Sequence, residues 1–180
     1  MGACDFGMVY DAKDYLAVMN NPNTDVVVWS FTSQPNLSRS PQVWGWLTQD
    51  ANHRIHGVSV KIPISDDPFH DFAITGSFSF KSGKYFLDLA EELMRRGIKV
   101  KNEFYIDSML GVALERKDNV ISFPVKYIGW GTPADYEEYL YWEKVFKNPA
   151  GSPEAAAKPE YAFWKEYFTR AHLKTPFLLR

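Results

Sequence analysis

Cysteine is almost missing from this 180-residue chain: Cys4 stands alone, so no internal disulfide can form and a reducing compartment is expected. An excess of either charge is missing too. The 20 lysines and arginines stand against 22 acids for a net charge of −2, and no run of cations makes the extended stripe that a nucleic-acid partner requires. No stretch approaches the length of a membrane span, and the N-terminus has no basic region followed by an apolar one. No glycine-rich phosphate loop of the P-loop or dinucleotide type occurs. The four histidines, His53, His56, His70 and His172, are scattered, and no Cys/His set has metal-ligand spacing. Nucleic-acid binding, membrane insertion, acyl transfer and zinc chemistry therefore lack support, and a soluble cytoplasmic protein is the expectation.

What is present is enough apolar surface for one folded domain: 46% of residues are hydrophobic, 23% are charged, and the aromatic share is 16%. Residues 11–20 place Tyr15, Leu16 and Met19 at helical spacing before Asn-Pro ends the run. Asp25 to Phe31 is a short β-branched and aromatic run, which predicts a strand buried on both faces. Val43–Leu47 and Arg54–Lys61 flank the polar turn 49–53 and predict a hairpin. Phe72–Phe80 is a strand with Gly76 inside it, a position that marks either a bulge or the close approach of a ligand. Phe86, Leu89, Ala90, Leu93 and Met94 form the stripe of a helix closed by Gly97. A helix follows over 106–114, and then one strand over 120–128, whose Pro124 argues for a sheet edge or a bulge. Thr132-Pro133-Ala134-Asp135 combines a capping side chain, a first-turn proline and an acid three residues on, so a helix starts there. Tyr136, Tyr139, Leu140, Trp142 and Phe146 make its apolar stripe. Residues 148–159, rich in Ala and Pro, read as a linker, 160–170 as a terminal helix and the last ten residues as a loosely held tail.

Five segments, in order, carry a resemblance. Asp5-Phe-Gly-Met-Val-Tyr10 comes first, then Lys61 in Val-Ser-Val-Lys-Ile-Pro63, and then Thr75-Gly76. Glu103 with Asp107 is fourth, and Trp130-Gly-Thr-Pro-Ala-Asp135 is last. Together they resemble the sugar-1-phosphate nucleotidyltransferases (nucleotide-sugar pyrophosphorylases), over roughly residues 1–145. The resemblance implies an α/β fold with a mixed sheet flanked by helices. Residues 1–147 would then be the C-terminal part of a Rossmann-like nucleotidyltransferase domain lacking its N-terminal nucleotide-binding strands. Residues 148–159 would be a linker, and 160–180 a terminal helix and tail.

It also implies roles. Lys61 would contact the sugar phosphate, Thr75 and Gly76 would line the sugar pocket, Glu103 would accept hydrogen bonds from sugar hydroxyls, and Asp5 would be a ligand of Mg²⁺. No catalytic residue is assigned. The substrates implied are a sugar 1-phosphate and a nucleoside triphosphate, giving a nucleotide-sugar and pyrophosphate. The pattern departs from the family at Gly129, where a second metal-binding carboxylate is expected, and at Val60, where a glutamate is expected. The expectation is a truncated chain, inactive alone, whose exposed sheet edge pairs with a second copy or with the missing N-terminal half. The other reading is a non-catalytic sugar-phosphate-binding module or partner subunit. Each candidate also has a plain structural reading: Asp5 as a solvated terminal acid, Lys61 as a strand-end lysine, Gly76 as a bulge and Asp135 as a helix-start residue.

Overall fold

The computed structural model describes residues 1–148 and 153–173. The chain divides into two compact units, Met1–Ala3 with Tyr10–Val125, and Cys4–Val9 with the residues from Lys126 on. Its elements, in chain order, begin with β1 (Phe6–Val9), α1 (Ala12–Met19), β2 (Val26–Phe31) and α2 (Pro35–Arg39). Then come β3 (Gly45–Gln49), β4 (Ile55–Val60), β5 (Phe72–Phe80), α3 (Gly83–Arg95) and α4 (Ile106–Glu115). The series ends with β6 (Val120–Pro124), β7 (Lys126–Gly129), α5 (Pro133–Lys147), α6 (Pro153–Ala156) and α7 (Tyr161–Leu173). Among the described residues no helix is long and apolar enough to cross a membrane.

The first unit is α/β. Its five-stranded sheet runs β4-β3-β5-β2-β6; only the β2–β6 pair is parallel, so the sheet is mixed. β2 lies inside it with all six residues buried, as a β-branched run of that length predicts. Val26 and Val28 face Leu89 and Leu93 of α3 and Leu110 and Ala113 of α4 in one core. Trp29 points to the other face, where Tyr10, Tyr15 and Phe123 pack their rings around it. The outer edge of β6 is not left open. Ile121 bridges to Arg54, and the Ser122 N–H donates to the His53 carbonyl at 2.8 Å, so the hairpin turn covers it.

Local signals explain the helix ends. The Asp11 side chain accepts from the N–H groups of Lys13 and Asp14, which fixes the start of α1. α3 stops at Gly97, at φ +64°, with the Gly97 N–H on the Met94 carbonyl and the Ile98 N–H on the Leu93 carbonyl, the paired bonds of a glycine C-cap. The width of the stripes was less legible: Leu16 and Met94, expected inside, are 50% and 53% exposed, and Tyr85 is buried instead of Met94.

The second unit pairs β1 antiparallel with β7 and packs α5, α6 and α7 around Ile128, Trp142, Ala155, Trp164 and Phe168. The observed elements differ from several expectations here. The single strand over 120–128 breaks at Val125, because Pro124 has no N–H to extend a ladder, and its two halves enter different sheets. The 148–159 stretch holds α6, whose Ala155 is fully buried; residues 149–152 lie outside the described residues. Tyr136 and Leu140 are exposed, while Tyr139, Trp142 and Phe146 face the core. The expected tail begins inside α7, and 174–180 lie outside the described residues.

Candidate functional site

In the first unit, sheet register brings two of the sequence candidates to one place. Gly45, the first residue of β3, pairs with Val60 on one side and Ile74 on the other. Lys61 and Thr75 each follow one of those partners. The Lys61 N–H donates to the Trp44 carbonyl at 3.0 Å, which continues the ladder past the end of β4. Lys61 has φ +62°, a left-handed conformation that is costly for a side chain with a β-carbon. That turn directs its ammonium to the Val43 carbonyl and over the Tyr105 ring, 5.6 Å from the ring centre.

Glu103 reaches the same ring from another direction. Val100 and Glu103 exchange both backbone hydrogen bonds at 3.0 Å, closing a two-residue turn in which Lys101 and Asn102 have φ +49° and +65°. So anchored, Glu103 accepts a 2.6 Å hydrogen bond from the Tyr105 hydroxyl. This bond, together with burial and the charges of Glu103 and Asp107, pushes the Tyr105 phenol above its usual range.

Asp107 lies in the first turn of α4, and its carboxylate is seated against Gly45, where any β-carbon would overlap it. The glycine at 45 is therefore a requirement of the acid at 107. Burial holds the Asp107 carboxyl above the usual carboxylate range, with the Lys61 charge and its own backbone N–H acting against the shift.

Thr75 and Gly76 occupy a wide bulge. Between the pairs Val28–Phe78 and Ser30–Ile74, the three residues Thr75, Gly76 and Ser77 face only Trp29. Gly76 takes φ +87°, which explains the glycine by backbone geometry alone, and its carbonyl accepts the Ala3 N–H at 3.3 Å. Thr75 is buried, and its hydroxyl accepts the Ser77 N–H at 3.2 Å.

Lys61, Glu103 and Asp107 thus converge on Tyr105. Neither Tyr105 nor Gly45 was singled out from sequence. The Glu-Phe-Tyr spacing carried a signal, since residues two apart in an extended segment share a side.

The turn in the second unit places Asp5 and Asp135 around two glycines. The Asp5 carbonyl accepts the Trp130 N–H at 2.9 Å, and a β-carbon on Gly131 would stand 2.8 Å from the Asp5 carboxylate. Asp135 is bound into the cap of α5: Thr132 accepts its N–H at 3.1 Å and donates a hydroxyl to its carboxylate at 2.7 Å. Burial, and then the charges of Asp5 and Asp135, push the Tyr127 phenol up, so both acids lie near one ring. At Gly129, a β-carbon would stand 3.6 Å from the Asp135 carboxylate. Among the described residues no group of three His, Cys, Asp or Glu side chains is placed to hold a metal. Two hard carboxylates fit Mg²⁺ only in the mode where phosphates and water complete its shell.

No protein-family model matches the sequence, and no curated protein matches it. Solved structures do. A nucleoside-diphosphate-sugar pyrophosphorylase from Vibrio cholerae RC9 superposes with a TM-score of 0.55 at 16% identity, over 74% of this chain and 50% of that one. A Bacillus anthracis protein named as a glucose-1-phosphate thymidylyltransferase, in complex with sucrose, gives 0.51 at 16% identity, over 74% and 49%. This chain therefore spans about half the length of either structure. At that identity the likeness is one of fold: an α/β mixed sheet flanked by helices, shared with sugar-nucleotide pyrophosphorylases.

Proposed function

We propose that the mouth formed by β3, β4 and the start of α4 binds a sugar 1-phosphate, in the lineage of enzymes that join a sugar 1-phosphate to a nucleotide with release of pyrophosphate. One observation supports this above all: a lysine and a glutamate from distant parts of the chain are both tied to the Tyr105 ring. A sugar phosphate needs a cation for its phosphate and acceptors for its hydroxyls. Lys61 supplies a point charge, and Glu103 is acceptor-only when ionised. The Tyr105 ring offers a flat face of the size of a pyranose between them.

In such a reaction a sugar-phosphate oxygen attacks the α-phosphate of a nucleoside triphosphate, and positioning and charge neutralisation lower the barrier. Lys61 would hold the attacking phosphate in place while Glu103 fixes the sugar's orientation. Asp5 would be a ligand of Mg²⁺, which supplies positive charge to phosphate oxygens when bound. No side chain is proposed to form a covalent bond.

Because the 180 residues contain no glycine-rich phosphate loop, the chain by itself is proposed to bind sugar 1-phosphate without turning it over. That favours a second reading, a sugar-phosphate-binding module whose triphosphate site comes from another segment or subunit. Thermal unfolding tests both readings. α-D-Glucose 1-phosphate should raise the Tm while UTP and dTTP leave it unchanged, and with Mg²⁺ and both substrates no pyrophosphate should appear. A shift with nucleotide alone would overturn the assignment of the mouth, and robust pyrophosphate release would overturn the binding-module reading.

A further inference from the structure

We propose that binding of an anion at Lys61 is coupled to protonation of Asp107, so that the mouth takes up a proton together with a sugar phosphate. This rests on the sugar-phosphate reading given above. The reason is the shortage of positive charge. The Asp107 carboxylate sits on Gly45 at the start of β3, where the adjoining β5 side chain is the uncharged Ile74. The end of β4 contributes Lys61, and the segment leading into α4 contributes the phenol of Tyr105 and, beyond it, Glu103. Among the described residues, Lys61 is the one cation acting on this carboxylate. Apart from its own backbone N–H, no hydrogen-bond donor to it occurs among the described residues.

One ammonium must then serve two anions. A phosphate drawn to Lys61 brings negative charge next to an enclosed carboxylate that burial already biases towards its neutral form. Taking a proton from solvent onto a carboxylate oxygen relieves that repulsion. No bond to carbon or phosphorus changes, and the balance is one proton lost by the buffer and one gained by Asp107. By linkage, affinity for the anion then rises as pH falls through the range in which free Asp107 is ionised and bound Asp107 is not. Glu103, exposed and bonded to the Tyr105 hydroxyl, keeps its role as acceptor.

Calorimetry of the full chain with α-D-glucose 1-phosphate, in two buffers of different ionisation enthalpy at each of a series of pH values from acid to neutral, measures the protons taken up. The wild type should take up more than Asp107→Asn, whose remaining uptake reports the ligand's own phosphate. Asp107→Asn should also bind about tenfold tighter near pH 7.5 and lose most of the excess pH dependence. Equal uptake in the two proteins, or weaker binding by Asp107→Asn, would overturn the coupling. Should that variant misfold, carboxyl-carbon NMR of the wild type decides: the Asp107 titration midpoint should move up on adding the ligand, and an unmoved midpoint refutes the proposal. Absence of any binding by the wild type would remove the sugar-phosphate reading itself, and the coupling with it.

Discussion

The mouth of the first unit and the turn between β7 and α5 are built from the same materials, carboxylates set against glycines and an aromatic ring, yet they use them in opposite ways. In the turn, nearly every polar group is consumed by the architecture. Thr132 and Asp135 satisfy each other at the start of α5, and Asp5 uses its carbonyl to hold Trp130. Only the Trp130 indole N–H is left buried without a partner. In the mouth, Lys61 is kept at a left-handed φ, Glu103 is presented by two more left-handed residues, and Asp107 is enclosed, among the described residues, with no donor but its own N–H and one shared cation. Such local costs persist where the surrounding structure imposes them, and they cluster at ligand sites. Satisfied geometry points to support, and unspent geometry points to function. The contrast between Asp107 and Asp25, in the same unit, makes the point again. Burial also pushes Asp25 up, but bonds from Lys81 and the Asn119 N–H outweigh it and hold its carboxyl below the usual range.

The widest test of this contrast is Lys61→Gly. It removes the ammonium and relieves the left-handed strain, so glucose 1-phosphate affinity should fall by about ten- to a hundredfold, while stability rises by up to about 1 kcal/mol; calorimetry and urea unfolding read the two effects. A loss of stability together with binding would make Lys61 a structural residue like Thr132. Next, Thr132→Ala should cost about 1 kcal/mol of stability through its lost cap and leave the ligand response intact; a matching loss of glucose 1-phosphate response would erase the distinction between the two regions. The smallest effect concerns pH. A lowered folded pKa means that the Asp25 contribution is present above the unfolded value and lost as pH falls through the folded one, so Asp25→Asn should narrow the stability gap between pH 7 and pH 3. For the raised Asp107 the sign reverses: stability is favoured at low pH and lost as pH rises through the folded value, so Asp107→Asn should widen that gap.

Much of this fold was legible in the sequence because its signals are local. Asp11 caps α1, Gly97 closes α3, and Thr132 with Pro133 opens α5, all within a few residues of the elements they end or begin. β5 was read with its observed limits, and the resemblance drawn from five short segments agreed with the fold found among solved structures. What was missed depends on distant partners. Val120–Ile128 reads as one apolar run; only the pairing of β7 with β1, at the far end of the chain, divides it. The small residues of α6 look like a linker until Ala155 is seen packed with aromatic side chains. In the site, Lys61 and Glu103 could be nominated, but the ring that joins them and the glycine that seats Asp107 follow from sheet register, which a single sequence does not display.

The central claim is that the Lys61–Tyr105–Glu103 mouth binds a sugar phosphate. Titration of α-D-glucose 1-phosphate into the wild type and into Glu103→Ala, with unfolding midpoints of both proteins measured in parallel, tests it most directly. The account predicts saturable binding by the wild type and its loss in Glu103→Ala at unchanged stability. Equal binding by the two proteins would contradict it.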